Sequence, residues 1–362
     1  MKNLFLRKYF LLILSFILIL FLSYSWVGSK EDSLNIYVPQ KNKRDIRIMF
    51  YNAENLFDTY DDINKRDEEF LPGGERHWTN YRYKQKLNNI YKVITAVGEW
   101  DPPEIVGLCE IENRNVLEDL VTQTPLSKFK YKIVHRESPD ERGIDVALLY
   151  IEDRFRVLRS EFIQVVFPFD KSLKTREILY VKGIFHPDTL HLFVNHWPSR
   201  SGGQYESERK RLTAAALLNQ KIDSVFSVDP IAYIIVMGDF NDEPEDKSLI
   251  SLAELTYEQE NVFDNELYNL CYYLKQEQKT GSYKYRGTWE MFDQFIVSGS
   301  LLNKQSSIYT TENDVFVFMQ DFLLEKDEGN FGFKPFRTYS GYRYINGYSD
   351  HLPVYLDLRR KK

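Results

Sequence analysis

Apolar and polar residues alternate along several short stretches of the chain, and this period of two predicts β-strands. The first stretch has apolar Ile46, Ile48 and Phe50 at alternate positions and ends at Asn52. The other predicted strands are Ile105–Cys109, Tyr131–His135, Val146–Tyr150, Leu179–Phe185, Leu190–Asn195 and Ala232–Met237. We expect the second and third of these to pair. The fourth and fifth should form a hairpin.

Two longer segments have apolar residues every three or four positions, which is the period of a helix. The first is Asn80–Glu99, preceded by Thr79 as a candidate N-cap. The second is Glu206–Phe226. Its basic run Arg209–Arg211 is predicted to lie on a solvated face, with a nucleic-acid track as the alternative. The predicted inward residues of this second helix are Leu212, Ala215, Ala216, Leu218 and Ile222.

The order of these elements indicates the fold class. Strands interleaved with two long helices predict an α/β (α+β) protein in which two packed sheets are flanked by helices. No internal repeat, low-complexity tract or interdomain linker divides the body of the chain. Residues 45–360 are therefore predicted to form a single domain, and the polar residues 31–44 a tether.

The N-terminus, residues 1–30, has the pattern of an export segment. Lys2, Arg7 and Lys8 precede the apolar run Phe10–Leu22. If this segment is not cleaved, it is long enough to anchor the protein in a membrane. Cleaved signal and uncleaved anchor both stay open. Either one places the body of the protein outside the cytoplasm, in the cell envelope, the periplasm or the extracellular space.

Composition excludes several classes of protein. Of the 362 residues, 43% are hydrophobic and 28% are charged, which predicts a packed soluble body rather than a disordered chain or a polytopic membrane protein. The formal net charge of −6 argues against nucleic-acid binding by bulk charge alone. The two cysteines, Cys109 and Cys271, are too few for a disulfide framework or a cysteine-built zinc module.

Polar residues follow the predicted strands at the points where the apolar runs end. Catalytic residues are often placed there, because the strand fixes them while the following loop stays open to substrate. These residues are Asn52, Glu54, Glu110, Glu112, His196, Asp239, Asn241, Asp350 and His351. Taken singly, each has an ordinary explanation as a turn residue, a solvated strand position or a hydrogen-bonded core histidine. Their joint occurrence favours a catalytic site.

The motifs that contain these residues occur in a specific order. They are Ile48–Asp58, Gly107–Asn113, Arg142–Ala147, Asn195–Arg200, Gly238–Asp242, Phe292–Ser298 and Ser349–Val354. In this order they resemble the endonuclease/exonuclease/phosphatase superfamily, the metal-dependent phosphoesterases that include deoxyribonuclease I-like nucleases. The resemblance covers Ile46–Leu358. It implies a four-layer α/β/β/α sandwich of two mixed β-sheets flanked by helices.

The resemblance also implies a divalent metal held by oxygen ligands. Glu110, with Asn52 as a neutral partner, matches the metal residues of the superfamily. Asp350 is a further candidate for the coordination sphere or its outer shell. We expect Mg²⁺ or Mn²⁺, because hard oxygen ligands suit these ions and no thiolate or histidine cluster in the sequence indicates zinc.

Five catalytic residues are implied by the same resemblance. His351 is the candidate general base, or the residue that holds the attacking water, and Asp293 is its orienting acceptor. Asp239 and Asn241 match the pair that positions the nucleophile and binds the phosphoryl oxygens. His196 matches a position that hydrogen-bonds the scissile phosphate.

Substrate contacts are less sharply indicated. Arg142, Ser199 and Arg200 are candidates, although surface ion pairs explain the two arginines equally well. The segments Asp58–Trp78 and Ser300–Arg337 exceed a minimal domain of this superfamily. They are expected to form lids or substrate-selecting walls, or else to decorate the surface.

The leading hypothesis is an exported, metal-dependent phosphodiesterase that resembles an endonuclease and acts on nucleic acid. One alternative is an enzyme of the same fold that cleaves a phospholipid such as sphingomyelin, or a phosphomonoester. A further alternative is a non-catalytic surface-binding protein. The N-terminal segment would contact a membrane if uncleaved, and no protein partner is predicted.

Overall fold

The computed structural model describes residues 44–99, 101–255 and 261–361. All of them belong to one compact unit, Gln40–Lys362. The predicted export segment and residues 31–43 of the predicted tether lie outside the described residues. Within the described ranges, no helix combines the length and the apolar character needed to cross a membrane.

Strands dominate the described part of the chain. In chain order they are β1 (Ile46–Leu56), β2 (Ile105–Ile111), β3 (Tyr131–His135), β4 (Asp145–Ile151), β5 (Arg156–Ile163), β6 (Ile178–Phe185), β7 (Asp188–His196), β8 (Tyr233–Asp239), β9 (Leu267–Asn269), β10 (Tyr283–Tyr285), β11 (Thr288–Glu290), β12 (Asp293–Ser298), β13 (Ile308–Tyr309), β14 (Val315–Val317), β15 (Leu324–Lys326), β16 (Phe333–Pro335), β17 (Tyr339–Ser340), β18 (Arg343–Tyr344) and β19 (Val354–Arg360). The helices are α1 (Asn80–Gly98), α2 (Arg114–Gln123), α3 (Gln204–Phe226), α4 (Lys247–Ile250), α5 (Cys271–Gln278) and α6 (Gly299–Leu302). Short 3₁₀ turns occur at Glu68–Phe70, Pro125–Phe129, Glu312–Asp314 and Asp321–Leu323.

Two large mixed sheets contain most of these strands. The first has the order β13-β19-β1-β2-β4-β3, with β14 also paired to β19, and the second has the order β5-β6-β7-β8-β12-β9. Each sheet has one parallel pair at its centre, β1 with β2 in the first sheet and β7 with β8 in the second. The predicted pairing of β3 with β4 and the predicted hairpin of β6 and β7 are confirmed.

Both faces of the central strands are buried, and successive side chains of a strand point to opposite faces. Ile48 and Phe50 of β1 lie with Met237 of β8 in the core between the two sheets. Met49 of β1 faces the other way, into the core beneath α1 and α2. Val236 of β8 lies in the core beneath α3. The predicted four-layer α/β/β/α sandwich is confirmed.

Gly107 of β2 lies where the two sheets come into close contact. A Cβ atom at this position would lie 3.0 Å from Sδ of Met237 and 3.1 Å from the ring of Phe50. A larger residue would therefore require the side chains of Met237 and Phe50 to shift by a few tenths of an ångström.

The two predicted long helices are present, with small differences. Thr79 caps α1 by accepting a hydrogen bond from the backbone N of Arg82 at 3.5 Å. Helix α3 begins two residues before the predicted start. Among its predicted inward residues Ala216 is exposed and Leu212 is half-buried, so the prediction was wrong there, whereas Ala215, Leu218 and Ile222 are buried.

Arg211 corrects the prediction that the whole basic run of α3 lies on a solvated face. Its side chain is fully buried, and its Nε lies 2.7 Å from Oδ2 of Asp242 in an ion pair. Nη1 donates to Oγ of Ser207 at 2.8 Å. A charged side chain is buried at tolerable cost only when it is paired in this way. The pair fixes the loop that follows β8.

Candidate active site

The predicted site residues lie at one edge of the sandwich, where the central parallel strands end. Asn52 of β1 is in register with Cys109 of β2. His196 of β7 is in register with Asp239 of β8. Asp293, at the start of β12, is the antiparallel partner of Asp239. Because parallel strands bring their carboxyl ends to the same edge, the sheets supply side chains to a common place.

The carboxylate of Asp239 joins the contributions of the two sheets. Its Oδ2 accepts a hydrogen bond from Nδ2 of Asn52 at 3.1 Å, and lies 3.7 Å from Nε2 of His196 and 3.9 Å from Nε2 of His351. Its Oδ1 accepts a hydrogen bond from the backbone N of Asn241 at 2.9 Å. Burial raises the pKa of Asp239 to about 7. This carboxyl group can therefore gain or lose a proton near neutral pH.

His351 is held by a second carboxylate. Its Nδ1 lies 2.6 Å from Oδ2 of Asp293. The ring of Tyr283 covers the imidazole, with the two ring centres 4.8 Å apart. Burial disfavours the charged imidazolium, but the carboxylates of Asp293 and Asp239 outweigh burial and raise the pKa of His351 well above its usual value. In the metal-free protein this ring is cationic at neutral pH.

His196 is in the opposite protonation state. Burial, together with the positive charges of Arg176 and Arg142, lowers its pKa well below the usual value. The ring is therefore neutral at neutral pH. Its Nδ1 is buried and has no hydrogen-bond partner among the described residues. The nitrogen on the side of the site is Nε2, 3.7 Å from Oδ2 of Asp239, and a neutral imidazole can make one hydrogen bond to a ligand through it.

The backbone is irregular where β1 and β2 end. Glu54, Asn55 and Glu110 have φ values of 49°, 56° and 58°, and the pairing register shifts after Asn52. Non-glycine residues in this left-handed region are uncommon and are often found at functional sites. The backbone N of Asn55 donates to Oε2 of Glu110 at 2.9 Å, and the backbone N of Glu54 donates to Oδ1 of Asn52 at 2.9 Å. The loop thus holds both predicted metal residues.

Glu110 and Asp350 provide the free carboxylate oxygens of the predicted metal set. Oε1 of Glu110 accepts no hydrogen bond from a described residue and lies 3.9 Å from Nη2 of Arg142. Oδ2 of Asp350 lies 3.8 Å from Nη2 of Arg337, and this side chain is 25% exposed. Two carboxylates that solvent can reach fit Mg²⁺, which usually keeps several waters and takes one or two protein carboxylates. Such an ion, when bound, supplies charge stabilisation to a phosphoester.

Two groups of three side chains each have ligand atoms close enough together to share one ion. The ligand atoms of Asp239, Asp293 and His351 lie within 4.8 Å of one another, and so do those of Cys109, His196 and Asp239. No thiol was among the predicted site residues. Cys109 is fully buried, and burial raises the pKa of its thiol well above the usual value. A thiol that holds its proton is a poor metal ligand, so the group that contains Cys109 fits a metal ion poorly.

The three predicted substrate contacts lie in different surroundings. Arg142 donates from Nη2 to Oδ1 of Asn55 at 2.7 Å, at the rim of the site. Arg200 donates from Nε to the backbone O of Asn241 at 2.8 Å and forms ion pairs with acidic residues of the same loop. Ser199 is exposed. The guanidinium of Arg200 supports the loop after β8, and substrate contact stays a prediction for all three.

A buried lysine that the sequence analysis missed ties the loop before His351 to the end of β1. Lys86 of α1 donates from Nζ to Oγ1 of Thr338 and to the backbone O of Tyr348, both at 2.6 Å. Its Nζ lies 3.6 Å from Oε2 of Glu54. Burial lowers the pKa of Lys86, although the carboxylate of Glu54 opposes the shift. The same Glu54 oxygen accepts a hydrogen bond from the backbone N of Thr338 at 2.7 Å.

Two packed mixed sheets with helices on both outer faces, and acidic and histidine side chains at the strand ends, define a phosphoesterase fold of the deoxyribonuclease I-like class. The sequence matches the Endonuclease/Exonuclease/phosphatase family over residues 47–360, and the chain belongs to that family. A search of curated proteins finds no match.

Solved structures share the fold at low sequence identity. D. rerio TDP2 complexed with single strand DNA product has a TM-score of 0.52 and 14% identity, covering 87% of this chain and 98% of that one. The human Nocturnin catalytic domain with bound sulfate has a TM-score of 0.50 and 18% identity, covering 90% and 97%. An endonuclease/exonuclease/phosphatase from Bacteroides vulgatus has a TM-score of 0.52 and 13% identity, covering 87% and 99%.

Proposed function

We propose that this protein is a divalent-metal-dependent phosphodiesterase that acts on nucleic acid, with the character of an endonuclease. The observation that carries the proposal is the junction at Asp239, where Asn52, His196 and His351 approach one carboxylate from both sheets. The structural neighbour TDP2, solved with a single strand DNA product, supports nucleic acid as the substrate class.

The pKa shifts of Asp239 and His351 favour catalytic roles that differ from those expected from the sequence, where His351 was the candidate base. The pKa of Asp239, raised to about 7 by burial, suits a base that takes a proton from the attacking water near neutral pH. Because the carboxylates of Asp293 and Asp239 outweigh burial and raise the pKa of His351, its imidazolium suits a charged donor to a phosphoryl oxygen or to the leaving oxygen. The backbone N of Asn241 orients the base by donating to it.

The remaining residues act on the phosphate itself. Glu110 and Asp350 would hold the divalent cation through their free oxygens. His196, which is neutral, would hydrogen-bond a phosphoryl oxygen through Nε2, the nitrogen 3.7 Å from Oδ2 of Asp239. Preorganised donors of this kind are worth about 10²–10³ in rate when one is removed, by analogy with oxyanion holes.

We also propose that the enzyme works outside the cytoplasm. The support is the N-terminal sequence, in which Lys2, Arg7 and Lys8 precede the apolar run Phe10–Leu22. Fusion of residues 1–40 to alkaline phosphatase, which is active only after export, provides a test. Phosphatase activity in whole cells is expected, and its absence would contradict this part of the proposal.

The activity is tested with the purified full-length protein on supercoiled plasmid DNA, single-stranded DNA, RNA and sphingomyelin vesicles, each with Mg²⁺ and with excess chelator. We expect nucleic-acid cleavage that needs the metal. His351→Ala should lower the rate about 10²-fold or more. The matched control is His186→Ala, an exposed histidine in the β6–β7 turn, at the end of β7 opposite His196.

Three results would overturn the proposal. Release of choline phosphate without release of nucleotides would assign the enzyme to lipid substrates. Equal turnover by the wild type and His351→Ala would indicate a binding protein with the same fold. Full activity in excess chelator would exclude the metal-dependent mechanism.

A further inference from the structure

A polar cavity of about 240 Å³ opens beside the candidate active site, and of the roles above only that of Asp350 as a metal residue involves its lining. It is lined by residues that include Glu54, Arg76, Trp78, Arg337, Tyr339 and Asp350. Asp350 is the proposed metal residue, Glu54 lies near the end of β1, and the others come from the segments around residues 58–78 and 337–341. Parts of the chain that exceed a minimal domain of the family therefore form a wall next to the reacting phosphate.

Arg337 is the cation of this cavity that has donors to spare. Its Nη2 lies 3.8 Å from Oδ2 of Asp350, beyond hydrogen-bond distance, and its side chain is 36% exposed. Its guanidinium donates no hydrogen bond to any residue in the described ranges. A guanidinium has five N–H donors in a planar fork that matches phosphate oxygens.

Arg76, the other arginine of the cavity, is already engaged. It donates from Nε to Oε2 of Glu69 at 3.0 Å and from Nη1 to the backbone O of Gly341 at 3.3 Å. Its guanidinium also lies over the rings of Phe70 and Tyr339, 5.0 Å from each ring centre. Arg76 therefore builds the wall, and Arg337 faces the open space.

Burial disfavours the charge of Arg337, but the carboxylates of Asp350 and Glu54 outweigh burial and raise its pKa, and each of them also has another partner. Glu54 is paired with the buried ammonium of Lys86 at 3.6 Å. Asp350 is the residue that we assign to the divalent cation, which balances its charge when bound. The guanidinium of Arg337 therefore stays available to a ligand at one side of the reacting phosphate, and its charge favours an anion.

We propose that this cavity binds a second phosphate group of the substrate, next to the phosphodiester that is cleaved, with Arg337 as its main ligand. The inference rests on the proposed function and extends it to a substrate with at least two neighbouring phosphates. The second phosphate is either the internal phosphodiester of an adjoining nucleotide or a terminal phosphomonoester, since both present the same oxygens to a guanidinium.

The test compares kcat/KM, at fixed Mg²⁺, for four short substrates. They are the dinucleotide d(TpT), the same dinucleotide with a 5′-phosphate, the same dinucleotide with a 3′-phosphate, and the trinucleotide d(TpTpT). The wild type should prefer at least one phosphate-bearing substrate over d(TpT) by about tenfold or more, the scale of one charge-assisted hydrogen bond. Comparing kcat/KM for the trinucleotide with kcat/KM for the two end-phosphorylated dinucleotides shows whether the cavity prefers an internal or a terminal phosphate.

Substitution of Arg337 then assigns the preference to this cavity. Arg337→Gln should bring the ratio of kcat/KM values close to one, and Arg337→Lys, which keeps the charge, should retain part of it. The matched control is Arg343→Gln, an exposed arginine of β18 that does not line the cavity. This control should keep the wild-type ratio.

The outcomes separate the two proposals. Equal kcat/KM for all four substrates, a preference that survives in Arg337→Gln, or cleavage of plasmid DNA with none of the four short substrates cleaved would each overturn the second-phosphate site. In these cases the proposed function still stands. Failure of the wild type to cleave any nucleic acid, plasmid included, would overturn the proposed function itself.

Discussion

Nδ1 of His351 and Oδ2 of Asp293 lie 2.6 Å apart, although 58 positions separate the two residues in the chain. Asp293 begins β12 of the second sheet, and His351 lies just before β19 of the first sheet. The contact therefore fastens the two sheets together at the site. Both side chains are buried, so water competes little with this interaction.

Replacing Asp293 tests this contact. Asp293→Asn keeps the shape of the side chain but removes the charge that balances an imidazolium. We expect kcat to fall by up to about 10⁴-fold with little change in KM, the loss found when a histidine loses its carboxylate partner in a catalytic triad. Steady-state kinetics on a DNA oligonucleotide measures the change. Asp153→Asn, in the exposed turn after β4, is the control.

The same variant has a spectroscopic readout. Burial alone lowers the pKa of a histidine, and the carboxylates of Asp293 and Asp239 reverse this for His351. NMR titration of the ring in metal-free protein should therefore give a lower pKa in Asp293→Asn than in the wild type. Wild-type kinetics together with an unchanged pKa would show that the pair has no catalytic role.

Glu110→Gln should weaken the dependence on metal without unfolding the protein. A glutamine keeps an oxygen to accept the hydrogen bond from Asn55 but lacks the charge that attracts a cation. We expect the Mg²⁺ concentration for half-maximal rate to rise at least about tenfold, the scale of one lost charged ligand interaction. Titration of activity with Mg²⁺ measures this. Glu118→Gln, an exposed residue of α2, should behave as wild type.

Thermal unfolding in chelator distinguishes a lost ligand from a damaged fold. The melting temperatures of Glu110→Gln and wild type should agree closely there. An unchanged Mg²⁺ requirement in Glu110→Gln would remove this carboxylate from the metal site.

Lys86→Met should destabilise the protein strongly. Removing the ammonium leaves the buried carboxylate of Glu54 without its cation and Thr338 without a hydrogen-bond donor. Breaking a buried ion pair on one side costs about 3–5 kcal/mol. Urea unfolding measures the loss, and Lys84→Met, an exposed lysine of the same helix, is the control.

The double variant Lys86→Met with Glu54→Gln separates the charge effect from packing. It removes both charges together, so part of the lost free energy of unfolding should return. Additive effects of the two substitutions would contradict an interaction between them.

Glu112 makes stability depend on pH. Burial raises its pKa to about 8, above the value of about 4.3 expected in the unfolded chain. The folded protein therefore holds a proton that the unfolded chain has released across this window. The stabilisation is fully present below about pH 4 and is lost as pH rises towards 8, by up to about 1.4 kcal/mol per pH unit.

Glu112→Gln removes this titration. Its free energy of unfolding should exceed that of the wild type by a margin that grows from pH 5 to pH 8, as measured by urea unfolding in chelator. Glu118→Gln should follow the wild type across the same range. A margin independent of pH would show that Glu112 does not keep its proton in the folded protein.

The strands that carry the site were predictable, because their signals are local. In β1 the alternation of apolar residues identifies the strand, although its predicted end at Asn52 was four residues short of Leu56, where β1 ends after a shift of register. The hairpin of β6 and β7 follows from two apolar runs around a Pro-Asp turn. Helix α2 was absent from the predicted elements, although it has a local signal. Asn113 caps it by accepting a hydrogen bond from the backbone N of Val116 at 3.1 Å.

The buried charges were not predictable in the same way. Lys86 contacts Thr338 and Tyr348, which lie 252 and 262 positions away, so its partners are set by tertiary structure alone. One signal was still present, because Lys86 lies three residues after Tyr83 and four before Ile90, inside the apolar stripe of α1. A lysine in such a stripe indicates a buried cation with a distant partner.

The close contact between Gly107 and Met237 affects the candidate active site as well as the core. One sheet brings Asn52 and Glu110, the other brings His196 and Asp239, and the spacing between them depends on residues that never meet a ligand. A larger residue at position 107 should therefore disturb the positions of the site residues as well as the packing of the core. A smaller residue at position 237 should restore both most readily.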